Sequence, residues 1–95
     1  MELINVEGAD RGRVILFALS TCAWCRKTRR LLDSLGVSYS YIYVDRLNGE
    51  DRREAVAEMR RHNPAGNFPT VVIDNDTVIT GHSPERLREA LGVDA

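Results

Sequence analysis

The chain has 95 residues, of which 43% are hydrophobic and 28% charged, and its 13 basic and 14 acidic residues leave a net charge of -1. This length and composition fit one ordinary globular domain and exclude a disordered chain or a collagen-like repeat. The even balance of charge argues against a dedicated nucleic-acid-binding protein, which would carry a basic excess. We therefore expect a single domain over residues 1–95.

Nothing in the sequence predicts a membrane or secretory segment. The longest apolar run, Val14 to Leu19, is too short to cross a bilayer. The stretch from Met1 to Glu7 has no basic region and no long apolar segment, so we expect no signal peptide. The two cysteines lie three positions apart, and a bridge between them would close a minimal loop, unlike a secreted disulfide framework. These features predict a cytoplasmic protein.

The first half of the chain alternates strand and helix patterns. The segment from Leu3 to Val6 allows a short leading strand, and the apolar run from Val14 to Leu19 indicates a strand buried on both faces. Apolar residues recur at helical spacing from Trp24 onward, and Gly36 supplies the stop. Tyr39 to Val44 then predicts another strand, because its residues are aromatic and β-branched. This strand-helix-strand order implies a right-handed parallel crossover.

The second half predicts a helix, a hairpin and a last helix. Asn48 is placed to cap a helix that stops before Asn63-Pro64, and Ser83-Pro84 opens the last helix. Two short β-rich runs flank a tight turn. The runs are Thr70 to Ile73 and Thr77 to Thr80, and the turn between them is Asp74-Asn75-Asp76. The predicted fold is α/β, with a mixed four-stranded sheet and helices on both faces. The leading strand would add a fifth.

Cys22 and Cys25 lie where the first buried strand meets the first helix. The free N–H groups and the dipole at a helix start stabilise a negative sulfur there. Cysteines in such positions have pKa values of about 3.5–7.5, against about 8.5 for free cysteine. Cys25 lies one helical turn from Cys22, and Arg26 and Lys27 add positive charge nearby. The pattern predicts attack by a Cys22 thiolate on a disulfide, followed by resolution by Cys25.

Three other interpretations of the cysteine pair compete with this one. A structural disulfide at a helix start would constrain almost nothing. A zinc site completed by His62 and His82 would separate the histidines by 19 residues, whereas zinc fingers use 3–5. Two inert buried thiols would not explain why both cysteines fall on the first helical turn after a buried strand. The predicted βαβ context favours the redox interpretation.

Phe68-Pro69-Thr70 is the second notable element. Proline cannot donate to a strand ladder, so Pro69 belongs at a strand start or edge. Only about 5% of such bonds are cis in folded proteins, so the residues alone predict a trans bond.

Three segments together resemble a glutaredoxin of the thioredoxin superfamily: Ser20-Thr21-Cys22-Ala23-Trp24-Cys25, Phe68-Pro69-Thr70 and Gly81-His82-Ser83. The resemblance runs from about Arg13 to Leu91, in the family's order of elements. It implies a dithiol thiol-disulfide oxidoreductase acting on protein or mixed disulfides, with Cys22 as nucleophile and Cys25 as resolving thiol. It also implies that Pro69 is cis and faces the sulfurs, and that the Phe68 backbone is free to pair with an extended thiol peptide. The residues expected to bind the substrate thiol are Thr21, Trp24, Phe68, Pro69, Thr70, Gly81, His82 and Ser83.

Four features of the sequence differ from the family's pattern. Ala23 replaces a usual proline, and Phe68 a usual valine. Leu19 and Ser20 stand where glutathione-using members commonly carry a lysine. Gly81-His82 replaces a Gly-Gly pair whose backbone holds the γ-glutamyl end of glutathione. These differences leave the redox motif intact and weaken the case for glutathione as the partner.

The resemblance also sets expectations about partners. We expect a monomer without a tightly bound cofactor or metal, acting on disulfide-containing proteins and not on nucleic acid or membranes. Electrons would come from glutathione, another low-molecular-weight thiol, or a thioredoxin reductase-like reductase. Two alternatives stay open. One is a thioredoxin-fold binding module that offers the Phe68 edge and uses its cysteines as a redox switch. The other is a glutaredoxin that bridges an iron–sulfur cluster between two protomers.

Overall fold

A mixed sheet of five strands, in the order β1-β3-β2-β4-β5, forms the centre of the molecule. The computed structural model describes residues 1–93, so Asp94 and Ala95 of the predicted domain lie outside the described residues. The elements are β1 (Ile4–Val6), β2 (Val14–Ala18), α1 (Ala23–Leu35), β3 (Tyr39–Tyr43), a one-turn 3-10 helix (Val44–Arg46), α2 (Gly49–His62), β4 (Thr70–Ile73), β5 (Thr77–Thr80) and α3 (Pro84–Leu91). β2 and β3 are parallel, and the other neighbouring strands are antiparallel. The predicted α/β fold with a mixed sheet is confirmed, and the leading strand supplies the fifth member.

Residues of β2 alternate between two apolar layers. Leu16 packs in a layer with Leu32 of α1 and Leu87 of α3, whereas Phe17 packs in a second layer with Met59 of α2. Successive strand side chains point to opposite faces of a sheet, so a strand covered by helices on both faces must be apolar throughout. This requirement explains the continuous apolar run seen in the sequence. Leu19, which the prediction included in the strand, lies just beyond it and is half-buried.

Most element ends follow the local sequence signals. Gly36 ends α1 with a φ of 69°, a left-handed conformation that glycine adopts without steric cost. Asp74 and Asn75 have φ values of 54° and 58°, as a tight hairpin requires. Asn48 occupies the N-cap position predicted for it, but its side chain makes no capping hydrogen bond. Val44, predicted as the last residue of a strand, instead begins the 3-10 helix.

The topology brings four chain segments to one edge of the sheet. β2 and β3 both end there because they are parallel, and β4 begins there because it pairs antiparallel with β2, Phe17 lying opposite Thr70. β5 ends at the same edge, with Thr80 opposite Thr70. The Gly81 N–H donates to the carbonyl of Pro69 at 2.9 Å. The segments that contain Cys22, Pro69 and Gly81 therefore lie side by side.

Within residues 1–93, no helix has the length and apolar character needed to cross a membrane.

Candidate active site

Cys22 is the N-cap residue of α1. Its backbone is extended, with φ -90° and ψ 115°, and its Sγ accepts a hydrogen bond from the backbone N–H of Cys25 at 3.2 Å. Its carbonyl accepts the first helical hydrogen bond, from Arg26 N–H at 3.1 Å. The sulfur thus takes the place of a capping oxygen, where the N–H groups and dipole of the helix favour negative charge. This is the placement that the sequence predicted.

Cys25 is in a different environment from its neighbour. It is buried, with 1% of its surface exposed, whereas Cys22 is partly exposed, and both are free thiols. Burial, together with a hydrogen bond to Cys22, raises the pKa of Cys25 to about 12, and the charge of Arg26 acts in the opposite direction. Cys25 is therefore held as a protonated thiol, and Cys22 is the sulfur that an incoming molecule can reach.

The loop between β2 and α1 is tied to the end of β3. The carboxylate of Asp45 accepts hydrogen bonds from Ser20 N at 2.8 Å and from Ser20 Oγ at 2.5 Å. These bonds hold the pKa of Asp45 below its usual range. On the other side, Arg26 Nη1 lies 3.5 Å from the carbonyl oxygen of Ser20. Sequence reasoning missed Asp45, although a polar residue after a strand parallel to β2 must lie at the same sheet edge as Cys22.

A groove of about 250 Å³ runs beside the cysteine motif. It is lined by five of the residues predicted to bind the substrate thiol: Trp24, Phe68, Pro69, Gly81 and His82. The Phe68–Pro69 peptide bond is cis, as the resemblance implied and contrary to the trans bond expected from the residues alone. The Trp24 side chain is 56% exposed, so a large aromatic face borders the groove two residues after Cys22.

The other predicted thiol-binding residues do not line this groove. Thr70 is fully buried, and its hydroxyl accepts from Asn63 Nδ2 at 2.9 Å and donates to the carbonyl of Asn67 at 2.7 Å. The side chain of Thr70 therefore holds the loop before β4 and does not face a substrate. Thr21 is exposed beside the motif. Ser83 caps α3 only through its carbonyl, which accepts from the N–H of Leu87 at 3.0 Å.

His82 connects the end of β5 to α1. Its Nδ1 lies 2.9 Å from Thr28 Oγ1, and its ring packs against Trp24 with centroids 5.7 Å apart. The Lys27 ammonium lies 4.3 Å from the centroid of the Trp24 ring. Burial, with a smaller effect of the Lys27 charge, lowers the pKa of His82. The sequence gave no sign that Thr28 would meet a loop 54 residues away.

The alternative of a zinc site is not supported by the geometry. Among residues 1–93, no group of three or more His, Cys, Asp or Glu side chains is arranged to hold a metal ion. His62 lies at the end of α2 with Nε2 3.5 Å from Glu58, and His82 contacts Thr28. The two histidines therefore do not join Cys22 and Cys25 as a ligand set.

A thioredoxin-like fold with two cysteines at the start of its first long helix, beside a cis-proline groove, defines a redox protein of the thioredoxin class. The glutaredoxin family model matches residues 14–78, a span that contains both cysteines and Pro69. The chain belongs to the glutaredoxin family.

Relatives of this chain agree with that assignment. Glutaredoxin 1 of Rickettsia bellii is 36% identical over 63 residues, which span 65% of this chain and 62% of that protein. The crystal structure of the glutaredoxin from Methanosarcina mazei superposes with a TM-score of 0.89 at 49% identity, covering 97% of this chain and 89% of that one. The methanoredoxin of Methanosarcina acetivorans has a TM-score of 0.87 at 42% identity, covering 90% of each chain.

Proposed function

We propose that this protein is a dithiol thiol-disulfide oxidoreductase that reduces protein or mixed disulfides. The observation that carries the proposal is the contrast between its two cysteines. Cys22 presents a partly exposed sulfur at a helix N-terminus, and Cys25 is buried and protonated one turn further along. Attack on a disulfide needs an accessible thiolate, and resolution needs a second thiol within reach that does not compete for the substrate.

In the first step, the Cys22 thiolate attacks one sulfur of the substrate disulfide. A Cys22–substrate disulfide forms, the substrate's S–S bond breaks, and the departing thiolate takes a proton from water. The Cys25 N–H, which donates to Cys22 Sγ in the free protein, favours the thiolate before this step.

In the second step, Cys25 loses its proton and attacks Cys22 Sγ, which releases the second substrate thiolate. The protein is left with a Cys22–Cys25 disulfide, having given two electrons to the substrate. Two of the causes that raise the pKa of Cys25 are its hydrogen bond to Cys22 and the Cys22 charge. Both disappear once Cys22 is in a mixed disulfide, so formation of the intermediate itself favours deprotonation of Cys25.

Two further thiols, or a reductase, must return the protein to its dithiol form. We propose a small thiol other than glutathione, or a thioredoxin reductase-like protein, in a reducing compartment such as the cytoplasm. The loop before Cys22 contains no basic residue, and Arg26 of α1 is the cation near Ser20. Arg60 and Arg61, which lie on α2, contact Pro64 and Glu58. A thiol with two carboxylates, such as glutathione, therefore finds few cationic partners along this loop.

Single-cysteine variants test the proposal. Cys22→Ser should abolish reduction of a generic disulfide, whereas Cys25→Ser should react once and accumulate a mixed disulfide detectable by intact-mass measurement. Rapid turnover by Cys22→Ser would contradict the assignment. Assays regenerated with glutathione and glutathione reductase, and separately with thioredoxin reductase, identify the electron donor. Visible absorbance of freshly purified protein tests the alternative of a bridged iron–sulfur cluster.

A further inference from the structure

The imidazole of His82 borders the groove and is held in place by two residues of α1. One edge of the ring is held by Thr28, which is fully buried on α1, and the ring packs against Trp24. The Nε2 nitrogen, on the opposite edge, has no hydrogen-bond partner among residues 1–93. His82 lines the groove together with Phe68 and Pro69, so its ring borders the space that a substrate would occupy.

The hydroxyl of Thr28 determines which nitrogen of His82 carries the proton. Thr28 Oγ1 donates to the carbonyl of Trp24, 3.0 Å away, and a hydroxyl has only one proton to give. It therefore accepts from His82 Nδ1–H at 2.9 Å. In the neutral ring, Nε2 is then left as a bare acceptor.

The surroundings of the ring keep it neutral near pH 7. Burial lowers the pKa of His82 most, and the positive charge of Lys27 on α1 acts in the same direction. The other titratable groups of the two helices are both basic and acidic: Cys22 and Cys25 at the start of α1, Arg26, Arg29, Arg30 and Asp33 along α1, and Glu85, Arg86, Arg88 and Glu89 along α3. The β4 side contributes Phe68 and Pro69, which carry no charge. A neutral Nε2 accepts an N–H donor and gives no hydrogen bond to a carboxylate.

We propose that His82 is a specificity-determining residue whose Nε2 accepts a main-chain N–H of the substrate, so that the groove favours disulfides embedded in polypeptide over small disulfides that bring a carboxylate to the same place. This inference rests on the proposed function. It assigns the substrate preference to a single acceptor atom, positioned by Thr28 and by the Trp24 ring.

Two small disulfides that differ at one group test the proposal. One is the disulfide of N-acetylcysteine N-methylamide, and the other is the disulfide of N-acetylcysteine, which has a carboxylate in place of the terminal amide. Trp24 is the single tryptophan of the chain, so its fluorescence reports one turnover of pre-reduced protein without any added reductant. The measured quantity is the ratio of the two second-order rate constants, amide over carboxylate, divided by the same ratio measured for dithiothreitol, which removes the differences in charge and leaving-group pKa between the two disulfides. The ionisation of Cys22 cancels in this ratio because the same thiolate attacks both substrates.

For the unmodified protein we expect a ratio of at least about ten at pH 7.5. The amide substrate gains a hydrogen bond to His82 Nε2, and the carboxylate substrate leaves that nitrogen unpaired. His82→Phe keeps an aromatic ring against Trp24 but removes the acceptor, and should bring the ratio to within about twofold of unity. His82→Gly, which also lacks the acceptor, should do the same and replaces His82→Phe if that variant fails to fold. His62→Gln is the matched control, because His62 lies on α2 and outside the groove, and it should leave the ratio unchanged.

Acidification supplies a readout that a merely structural role would not change. As the pH falls through the lowered pKa of His82, the protonated ring becomes a donor on both nitrogens and should bind the carboxylate, so the ratio should fall. The ratio should stay flat with pH in His82→Phe and fall as usual in His62→Gln. A ratio that neither His82 variant changes, or that does not respond to pH, would overturn this inference while leaving the proposed function intact. Failure of the unmodified protein to reduce either disulfide would instead overturn the proposed function.

Discussion

The raised pKa of Cys25 predicts a large difference in reactivity between the two cysteines. The value of about 12 follows chiefly from burial. At pH 7 a thiol with that pKa is a thiolate for about one molecule in 10⁵, against about 3% for a cysteine with a pKa near 8.5. Only the thiolate reacts with an alkylating reagent, so Cys25 should be alkylated roughly 3,000-fold more slowly than an unperturbed cysteine.

The measurement is a brief pulse of substoichiometric iodoacetamide at pH 7, followed by trypsin digestion and mass spectrometry. Both cysteines fall in the peptide from Val14 to Arg26, so fragmentation of that peptide must locate the label. The native protein should carry the label on Cys22. The same pulse in concentrated urea is the control, because unfolding removes the burial and both cysteines should then react at similar rates.

Cys22→Ser separates the causes of the shift. This variant removes the Cys22 thiol and its charge but keeps the burial, so the pKa of Cys25 should fall and still exceed that of a free cysteine. Labelling of Cys25 in Cys22→Ser should remain at least tenfold slower than in urea. If native Cys25 reacted within tenfold of its rate in urea, burial would not control its protonation. The proposed order, in which Cys22 attacks first and Cys25 resolves, would then be refuted.

Three further predictions concern stability and titration. Asn63→Ala removes a buried amide that donates to Thr70, and should lower the free energy of unfolding by about 1–3 kcal/mol in urea titrations. Asp45→Asn keeps the shape but loses the charge that accepts from Ser20, and should cost about 1 kcal/mol at pH 7. The folded pKa of Asp45 is lowered, so this difference is present above about pH 4 and should vanish as the pH falls through the folded value. Burial and a hydrogen bond to Asp33 raise the pKa of Tyr39 to about 12, so ultraviolet absorbance should show one of the three tyrosines ionising near that pH. The stabilisation that protonated Tyr39 gives to the folded protein should be fully present below pH 10 and lost as the pH rises to 12.

The loop that carries Cys22 depends on a neighbouring strand as well as on its own helix. Asp45 follows β3 and accepts hydrogen bonds from Ser20, two residues before Cys22. The backbone N–H of Cys25 holds the Cys22 sulfur, and the Asp45 carboxylate holds the loop that leads to it. A substitution at Asp45 is therefore expected to act on Cys22 through the loop and not by contact.

The order of elements was predictable from the sequence because each signal is local. A continuous apolar run indicates burial on both faces of β2, and Gly36 ends α1 because a left-handed residue suits glycine. The place of Cys22 at a helix start follows from the same kind of signal. The sequence was compatible with a fifth strand but did not predict it firmly. The three residues of β1 are too few for a strong pattern, and their strand conformation depends on pairing with β3.

The contents of the groove were decided by tertiary structure alone. Local signals do not report distances between residues far apart in the chain, and Thr28 meets His82 across 54 positions. For the same reason the sequence did not predict the hydrogen bonds from Ser20 to Asp45. It also did not predict that Thr70 is buried against Asn63, away from the substrate groove. The position of the two cysteines is thus determined locally, at one helix start, whereas the groove beside them is formed by side chains that only the folded sheet brings together.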